Sequence, residues 1–542
     1  MSLKLLISIL SIFCMCLYSK AQYIDEYPSN KLNASKVMEL KNYQVAVRIY
    51  SELLKEEPNN IDFQFQLGTA YTYSNINQRR GLDLLKQVDA SANKPDGVSK
   101  ILAIAYFKNY EFDNAISTFN KVKNTLTNPE EMKEIDDWIN QCNNSIQLKK
   151  RPISVRFENL GKDVNSDAPD YLPLVSPDES VIMFSTRRDG VVGNLFDYGG
   201  YKTADIYTSK HRRGKYSRSR SIGSPNTYGN EETAGSSENG DYMLYHVDSE
   251  DNYSDLYVSE MGRRSYMPPK ELNSDLVNQK TSEPGGSLTN EGDQLFFCSN
   301  RDGGFGGFDI YSVKRLPNGD WAEPINLGNE INTAKDEKYP LIRSNGNELY
   351  FSSNGFPGMG GMDLYKSILV DGKWSKPANL GYPLNTVNDD NNISFAENSR
   401  YAYVAARMDD SFGDLDIYRV VFEDKREELA LVSGNLIRSD SSLILEEIVI
   451  EILNPETGEL FGSYLSNSKT GKYVAILPPG VYSLEIINAQ NFEDKVKKII
   501  IKDKNDFVSV MNLNIVLNEK PKKITPIKNV ESTIKTTPVE KK

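Results

Sequence analysis

A tripeptide recurs five times in the middle of this 542-residue chain, and its spacing constrains the fold more than any other feature. The copies are Asp205-Ile206-Tyr207, Asp255-Leu256-Tyr257, Asp309-Ile310-Tyr311, Asp363-Leu364-Tyr365 and Asp416-Ile417-Tyr418, separated by 50, 54, 54 and 53 residues. Self-similarity at a fixed period means one supersecondary unit per repeat. Ahead of each copy runs a short apolar strand, such as Val181-Ile182-Met183-Phe184 or Glu348-Leu349-Tyr350-Phe351. Polar turns such as Ser176-Pro177-Asp178 lead into these strands and suit tight antiparallel connections. A third element, Trp321 to Gly328, matches Trp374 to Gly381. Pro324 and Pro377 place it at a sheet edge, because proline cannot donate to a ladder. The unit is therefore a four-stranded blade, and residues 151–424 are expected to form a β-propeller. Phe157-Glu158-Asn159-Leu160-Gly161 reads as an outer strand with no blade before it. The fifth copy, ending near Phe422, lacks an outer strand after it. The orphan can complete the last blade, which predicts five blades, with six as the alternative.

The flanks follow other periods. Between 27 and 150 the pattern is helical, and Leu67-Gly68 and Tyr71 return as Leu102-Ala103 and Tyr106. Ala46 and Tyr50, closed by Pro58, return as Ala115 and Phe119. The middle unit has Arg80-Gly81 where a small alanine is expected. Met132, Ile135, Ile139, Cys142 and Ile146 form the stripe of a capping helix, so Cys142 is read as core. Two uses are open to such a stack: a concave peptide groove, or a docking face for the neighbouring domain. Residues 428–518 alternate strands with Pro and Gly turns, as in Asn454-Pro455-Glu456-Thr457-Gly458 and Pro478-Pro479-Gly480, and predict a small β-sandwich. The polar segment 519–542 reads as a disordered tail. At the other end, Lys4, the apolar run Leu5 to Leu17 and small residues at Ser19 and Ala21 have the layout of a secretory leader spanning 1–21. Lipid attachment at Cys14 or Cys16 is less favoured, because Ser11-Ile12-Phe13 lacks the small residues that usually precede a lipidated cysteine.

Composition narrows the function. A net charge of −12 argues against a nucleic-acid partner. Beyond the leader only Cys142 and Cys298 remain, too far apart in sequence to suggest a disulfide. Two histidines, His211 and His246, are too few for most histidine-centred metal or acid–base sites. No catalytic residue, metal site or cofactor is expected, and the chain is read as no enzyme. Arg188-Asp189-Gly190 and Arg301-Asp302-Gly303 repeat, with Asp409-Asp410 in a similar place. Asp189, Asp302 and Asp409 are therefore the candidates for a carboxylate ring that binds a cation or cationic ligand. The competing reading is that Asp-Gly makes the turn while Arg pairs locally. Gly303 to Gly307 and Gly358 to Gly361 lack the lysine-serine ending of a phosphate loop.

Each part has a family likeness. The helical repeats resemble tetratricopeptide hairpins. The Ser176 to Asp178 turn, the Phe184-Ser185 and Phe351-Ser352 strand ends and the Asp-Ile-Tyr triplets resemble the PD40/WD40-like repeats of the Tol-system propeller. Thr470-Gly471-Lys472-Tyr473 and Leu477 to Tyr482 resemble the carboxypeptidase regulatory-like, transthyretin-like domain. In this order the parts resemble Bacteroidota envelope proteins of the OmpA-family and type IX secretion-associated kind, without the OmpA-like domain. That resemblance implies a periplasmic scaffold associated with the outer membrane, with outer-membrane or secretion-system proteins as partners. Those relatives commonly end in an OmpA-like peptidoglycan-binding domain; with no such motif to carry over, direct peptidoglycan binding is not expected here. The alternatives are a ligand-binding sensor using the propeller pore, or a glycan- or peptide-active enzyme.

Overall fold

The computed structural model describes residues 29–521 apart from 75–76, 194, 197–201, 249–253, 263–265, 273, 344–345, 398–399, 424–428, 456, 459, 479, 488 and 502–509. The leader and nearly all of the tail lie outside the described residues. The chain divides into two compact units, Met1–Glu423 and Asp424–Lys542.

The first unit opens with seven helices among the described residues: α1 (Lys31–Glu39), α2 (Tyr43–Glu56), α3 (Ile61–Tyr73), α4 (Gln78–Asp89), α5 (Val98–Lys108), α6 (Phe112–Lys123) and α7 (Pro129–Lys150). Asn30, Asn42, Asn60 and Asn128 each precede a helix and accept a hydrogen bond from a first-turn amide that has no partner within its helix. Ala46, Tyr50, Leu67 and Tyr71 share one core, and Ala103, Phe107, Ala115 and Phe119 another. Gly81, the departure from the repeat, has a packing cause. A Cβ there would lie 2.8 Å from the Cβ of Tyr71 and 3.0 Å from the Gly68 carbonyl, so α3 and α4 approach too closely for alanine.

Five antiparallel sheets follow among the described residues. The first runs Asp170–Val175, Val181–Thr186, Asp205–Arg212, with Lys215–Tyr216 and Arg220–Ser221 outside. The second runs Glu231–Ser236, Tyr242–Asp248, Ser254–Glu260, Lys270–Glu271. The third runs Gly285–Leu288, Gln294–Ser299, Asp309–Lys314, Ile325–Asn326. In the fourth, Glu337–Arg343, Glu348–Ser353 and Asp363–Val370 carry two short outer pieces, Lys373–Trp374 and Ala378–Asn379, interrupted at Pro377. In the fifth, Ser394–Phe395, Tyr401–Ala406 and Asp416–Phe422 are completed by Val155–Asn159, with Phe157 opposite Val420.

Apolar clusters join each sheet to the next. Met183 and Ile206 meet Met243 and Tyr245; Leu244 and Leu256 meet Leu295 and Phe297. Phe296 and Ile310 meet Leu349 and Phe351, and Tyr350 and Leu364 meet Ala402 and Tyr418. Tyr403 and Ile417 of the fifth sheet then pack against Ile182 and Phe184 of the first. The order is therefore cyclic, which makes this part propeller-like. Cys298 lies in one of these clusters and Cys142 in the helical core; both thiols are free and buried.

A polar latch repeats with the same cyclic order. Asn165, Asn226, Asn278, Asn332 and Asn385 each clip one backbone residue of the preceding sheet, accepting from its N–H and donating to its carbonyl. The residues held are Ile417, Ile206, Leu256, Ile310 and Leu364, the centre of each tripeptide. Five positions after each asparagine stands an acid: Asp170, Glu231, Glu283, Glu337 or Asp390. Its backbone N–H donates at 2.7–2.9 Å to the carbonyl just before the tripeptide, on Leu415, Ala204, Ser254, Phe308 or Met362.

The helices are fixed to the fourth sheet's loops. Lys108 of α5 donates to the Val387 carbonyl at 2.5 Å and to Asn388 Oδ1 at 3.2 Å. Ser145 of α7 donates to the Met359 carbonyl at 3.0 Å, Gln141 donates to the Gly360 carbonyl, and Gln78 of α4 donates to Asn388. Met359 and Val387 are themselves part of the helical core that contains Phe107 and Cys142.

In the second unit, Ala430–Ile437 pairs with Lys472–Leu477, Val510–Asn512 and Ile515–Val516. The other sheet runs Leu460–Leu465, Val449–Leu453, Gly480–Ile486, Lys495–Ile501. Val432, Leu436 and Tyr473 of one sheet share a core with Ile450, Ile452 and Leu484 of the other. No described helix is long and apolar enough to cross a membrane.

Candidate functional site

The tripeptide aspartates are loop caps. Asp309 accepts from the Phe305 and Gly306 amides and from Asn326; Asp363 accepts from the Met359 and Gly360 amides. Burial pushes the Asp363 carboxyl up to about 7 and that of Asp205 to about 6. The Gly-rich loops sit tightly against the next sheet: a Cβ on Gly306 would fall 2.0 Å from the Lys335 carbonyl, and one on Gly360 2.2 Å from that of Thr386. Close backbone approach therefore accounts for these glycines.

The structure places Asp189, Asp302 and Asp409 on exposed loop positions. The Asp189 side chain is 88% exposed and pairs with Lys202. The adjacent arginines go inward. Arg188 donates to the Val164 carbonyl at 2.7 Å, pairs with Asp170 and lies over the Phe184 and Tyr207 rings. Arg301 donates to the Leu276 and Val277 carbonyls at 2.8 and 2.7 Å and covers Phe297 and Tyr311. Among the described residues no group of three or more potential ligands could hold a metal ion.

Residues that break the repeat do converge. Tyr171 and Glu232 follow the repeated acids Asp170 and Glu231, where the other sheets have Pro284, Lys338 and Asn391. His246 stands where the others carry Ser185, Cys298, Ser352 and Ala405. Arg187 Nε donates to the Tyr171 hydroxyl at 2.9 Å, and Arg187 Nη2 lies 3.2 Å from Glu232 Oε1. The Tyr171 hydroxyl donates to Glu232. His246 Nε2 lies 3.1 Å from Asp248 Oδ1, and its Nδ1 lies 3.7 Å from Glu232 Oε2 without a hydrogen bond. Asn230 and Ser254 donate to Asp248. Burial alone lowers the His246 pKa, but the Asp248 hydrogen bond and the Glu232 and Asp248 charges outweigh it, and the net shift is upward. Asp248 moves the other way: burial raises it, and the bond to His246 brings it below the ordinary carboxylate value. An imidazole held between two carboxylates can bind a proton or a hydroxyl donor. Sequence reasoning missed this cluster because it sought repeated residues; the signal was the one histidine at a position otherwise small.

No protein-family model matches the chain, and no curated protein matches it. Solved structures similar to it include a glycoside hydrolase, 8% identical, with 55% of this chain and 97% of that one covered and a TM-score of 0.37. Another is the putative TolB from Agrobacterium tumefaciens, 14% identical over 51% of this chain and 99% of that one, TM-score 0.26. A third is a putative 6-phosphogluconolactonase from Bacteroides uniformis, 13% identical over 61% and 85%, TM-score 0.24. The expectation that the chain is no enzyme is corrected here. The similar structures include ones described as a glycoside hydrolase and a putative 6-phosphogluconolactonase beside a putative TolB. Likeness of this size assigns no activity to this chain.

Proposed function

We propose that the chain is an exported docking scaffold of the bacterial cell envelope, built from tetratricopeptide-like helices, a five-bladed propeller and a small β-sandwich. On this reading Val155–Asn159 is the outer strand of the fifth blade. The compartment is the periplasm beside the outer membrane, and the partners are envelope proteins, with secretion or gliding components first among them.

The observation that carries the reading is the face presented by alternate helices. Tyr73 of α3 is 38% exposed and within electrostatic reach of Glu134 of α7, which Lys100 of α5 meets at 2.7 Å. Tyr43 stacks on Tyr73 at 5.1 Å. A half-exposed aromatic pair beside charged side chains suits a protein partner. The stack that bears it is anchored through Lys108 and Ser145 to the ring. Affinity purification of the full chain from chemically crosslinked cells tests this. A discrete protein enriched in proportion to the bait is expected; no enrichment above a matched control contradicts the reading.

A second reading has its own observation, the buried Nδ1 of His246, which lies 3.7 Å from Glu232 and makes no hydrogen bond. It makes the cluster a site for a small hydroxyl- or amine-bearing ligand. A ligand-dependent rise in melting temperature that Glu232→Gln abolishes would support it; no rise across a panel of sugars and amines would exclude it.

A further inference from the structure

The geometry points to a docking surface for an extended acidic segment of a partner protein, at the seam where the fifth sheet meets the first. It deepens the scaffold reading and rests on it. Its origin is a local inversion of charge. The chain is acidic, yet the outer hairpin of the first sheet carries Lys210, Arg212, Arg213, Lys215, Arg218 and Arg220 within eleven residues and no acid. All six are exposed, and none forms an ion pair with a carboxylate among the described residues. The matching hairpins are mixed in charge: Asp371-Gly372-Lys373 in the fourth sheet and Arg315 to Asp320 in the third. Six like charges on one hairpin repel one another, so the fold itself has no use for them.

His211, Gly214, Lys215 and Tyr216 of the hairpin form one wall of a groove of about 440 Å³, whose other wall is the turn Leu160-Gly161-Lys162 after the closing strand; Arg212 and Arg213 lie between the lining residues in sequence. His211 and Tyr216, stacked at 4.5 Å, give it an aromatic side. The acids at its base are already neutralised. The Tyr216 and Tyr403 hydroxyls lie 2.8 Å apart, Tyr403 donates to Glu179, and Arg419 bridges Glu179 and Glu158 at 2.8 and 3.3 Å. Asp163 adds one exposed carboxylate, set against Lys162 and Lys215 in the same groove.

The shape and charge select the occupant. A bilayer meets a flat or convex face and is gripped by exposed apolar side chains; this surface is concave, and residues 210–220 expose no large apolar residue. A nucleic acid is longer than the hairpin and would run on over a chain whose net charge is −12. A short acidic peptide seated along the hairpin lies within about 8–10 Å of its basic side chains, inside the screening length.

The test is fluorescence anisotropy of a labelled ten-residue poly-glutamate with the intact chain at low salt. Binding is expected, weakened at least tenfold by combined Arg212→Glu, Arg213→Glu and Lys215→Glu, and unchanged within twofold by Lys373→Glu with Lys376→Glu. Thermal melts establish that both variants fold. Anionic phosphatidylglycerol vesicles and a single-stranded oligonucleotide are titrated alongside. Absent peptide binding, equal loss in the two variants, or tighter binding of vesicles or oligonucleotide each overturns the inference. Its failure is separable from that of the scaffold reading: a partner captured equally by the hairpin variant in crosslinked cells sinks the hairpin surface and leaves the scaffold standing.

Discussion

At the scale of single residues, the repeated and the unrepeated side chains divide the labour. Asn332 satisfies both backbone groups of Ile310, at 2.8 and 2.9 Å, in a buried setting. Removing a partner of a buried backbone group costs about 1–3 kcal/mol. Asn332→Ala is therefore expected to lower the urea stability of the chain by about 2–4 kcal/mol, within the range of two lost bonds. Asn165→Ala, at the seam, should cost a similar amount, because Asn165 holds Ile417 in the same way. A negligible cost at either position would contradict the latch. The buried acids set a pH dependence. Burial raises Asp363 to about 7 and Asp205 and Glu231 to about 6. The folded state thus holds protons that the unfolded state has released above about pH 4. Their contribution is fully present below pH 4 and is lost as pH rises through 6 to 7. Asp363→Asn should flatten the fall in melting temperature between pH 5 and 8; an unchanged slope would show that Asp363 does not carry it.

At the scale of elements, close approach outweighs intrinsic preference. Alanine is a better helix former than glycine by about 1 kcal/mol. Yet a Cβ at position 81 meets Tyr71 at 2.8 Å, and overpacking costs about 1–3 kcal/mol. Gly81→Ala is expected to lower the melting temperature despite its better propensity; a rise would mean that α3 and α4 separate freely. The elements were also the most legible part of the sequence. The tripeptides and aromatic strands have a short internal pattern at a steady period, and the orphan segment near Phe157 pairs with the fifth sheet in continuous register. The latch was harder to read. Its asparagine and acid stand five residues apart, the acid is Asp in two copies and Glu in three, and the asparagines sit in loops of uneven sequence. The His246 cluster left no periodic trace at all, since it is made of departures from the repeat.

At the scale of the whole molecule, the junction of helices and ring had no sequence signal, because its partners lie more than two hundred residues apart. Lys108 is its polar centre. Burial lowers its pKa, while Asp389, Asp390 and Asp363 oppose that shift. Lys108→Met keeps the stem and removes the bonds to Val387 and Asn388. Hydrogen exchange is expected to quicken at 386–390 and in α5 while the first three sheets stay protected; uniform exchange across the unit would contradict a local junction. Through this junction the ring would hold the helical face in a fixed place for a partner. The most direct measurement is site-specific photocrosslinking, with an aromatic photocrosslinking amino acid at Tyr73 of the intact chain in its own cells. A discrete crosslinked product is predicted from Tyr73 and none from the same residue at Lys373. No product from Tyr73, or one equally strong from Lys373, would contradict the helical face as the docking surface.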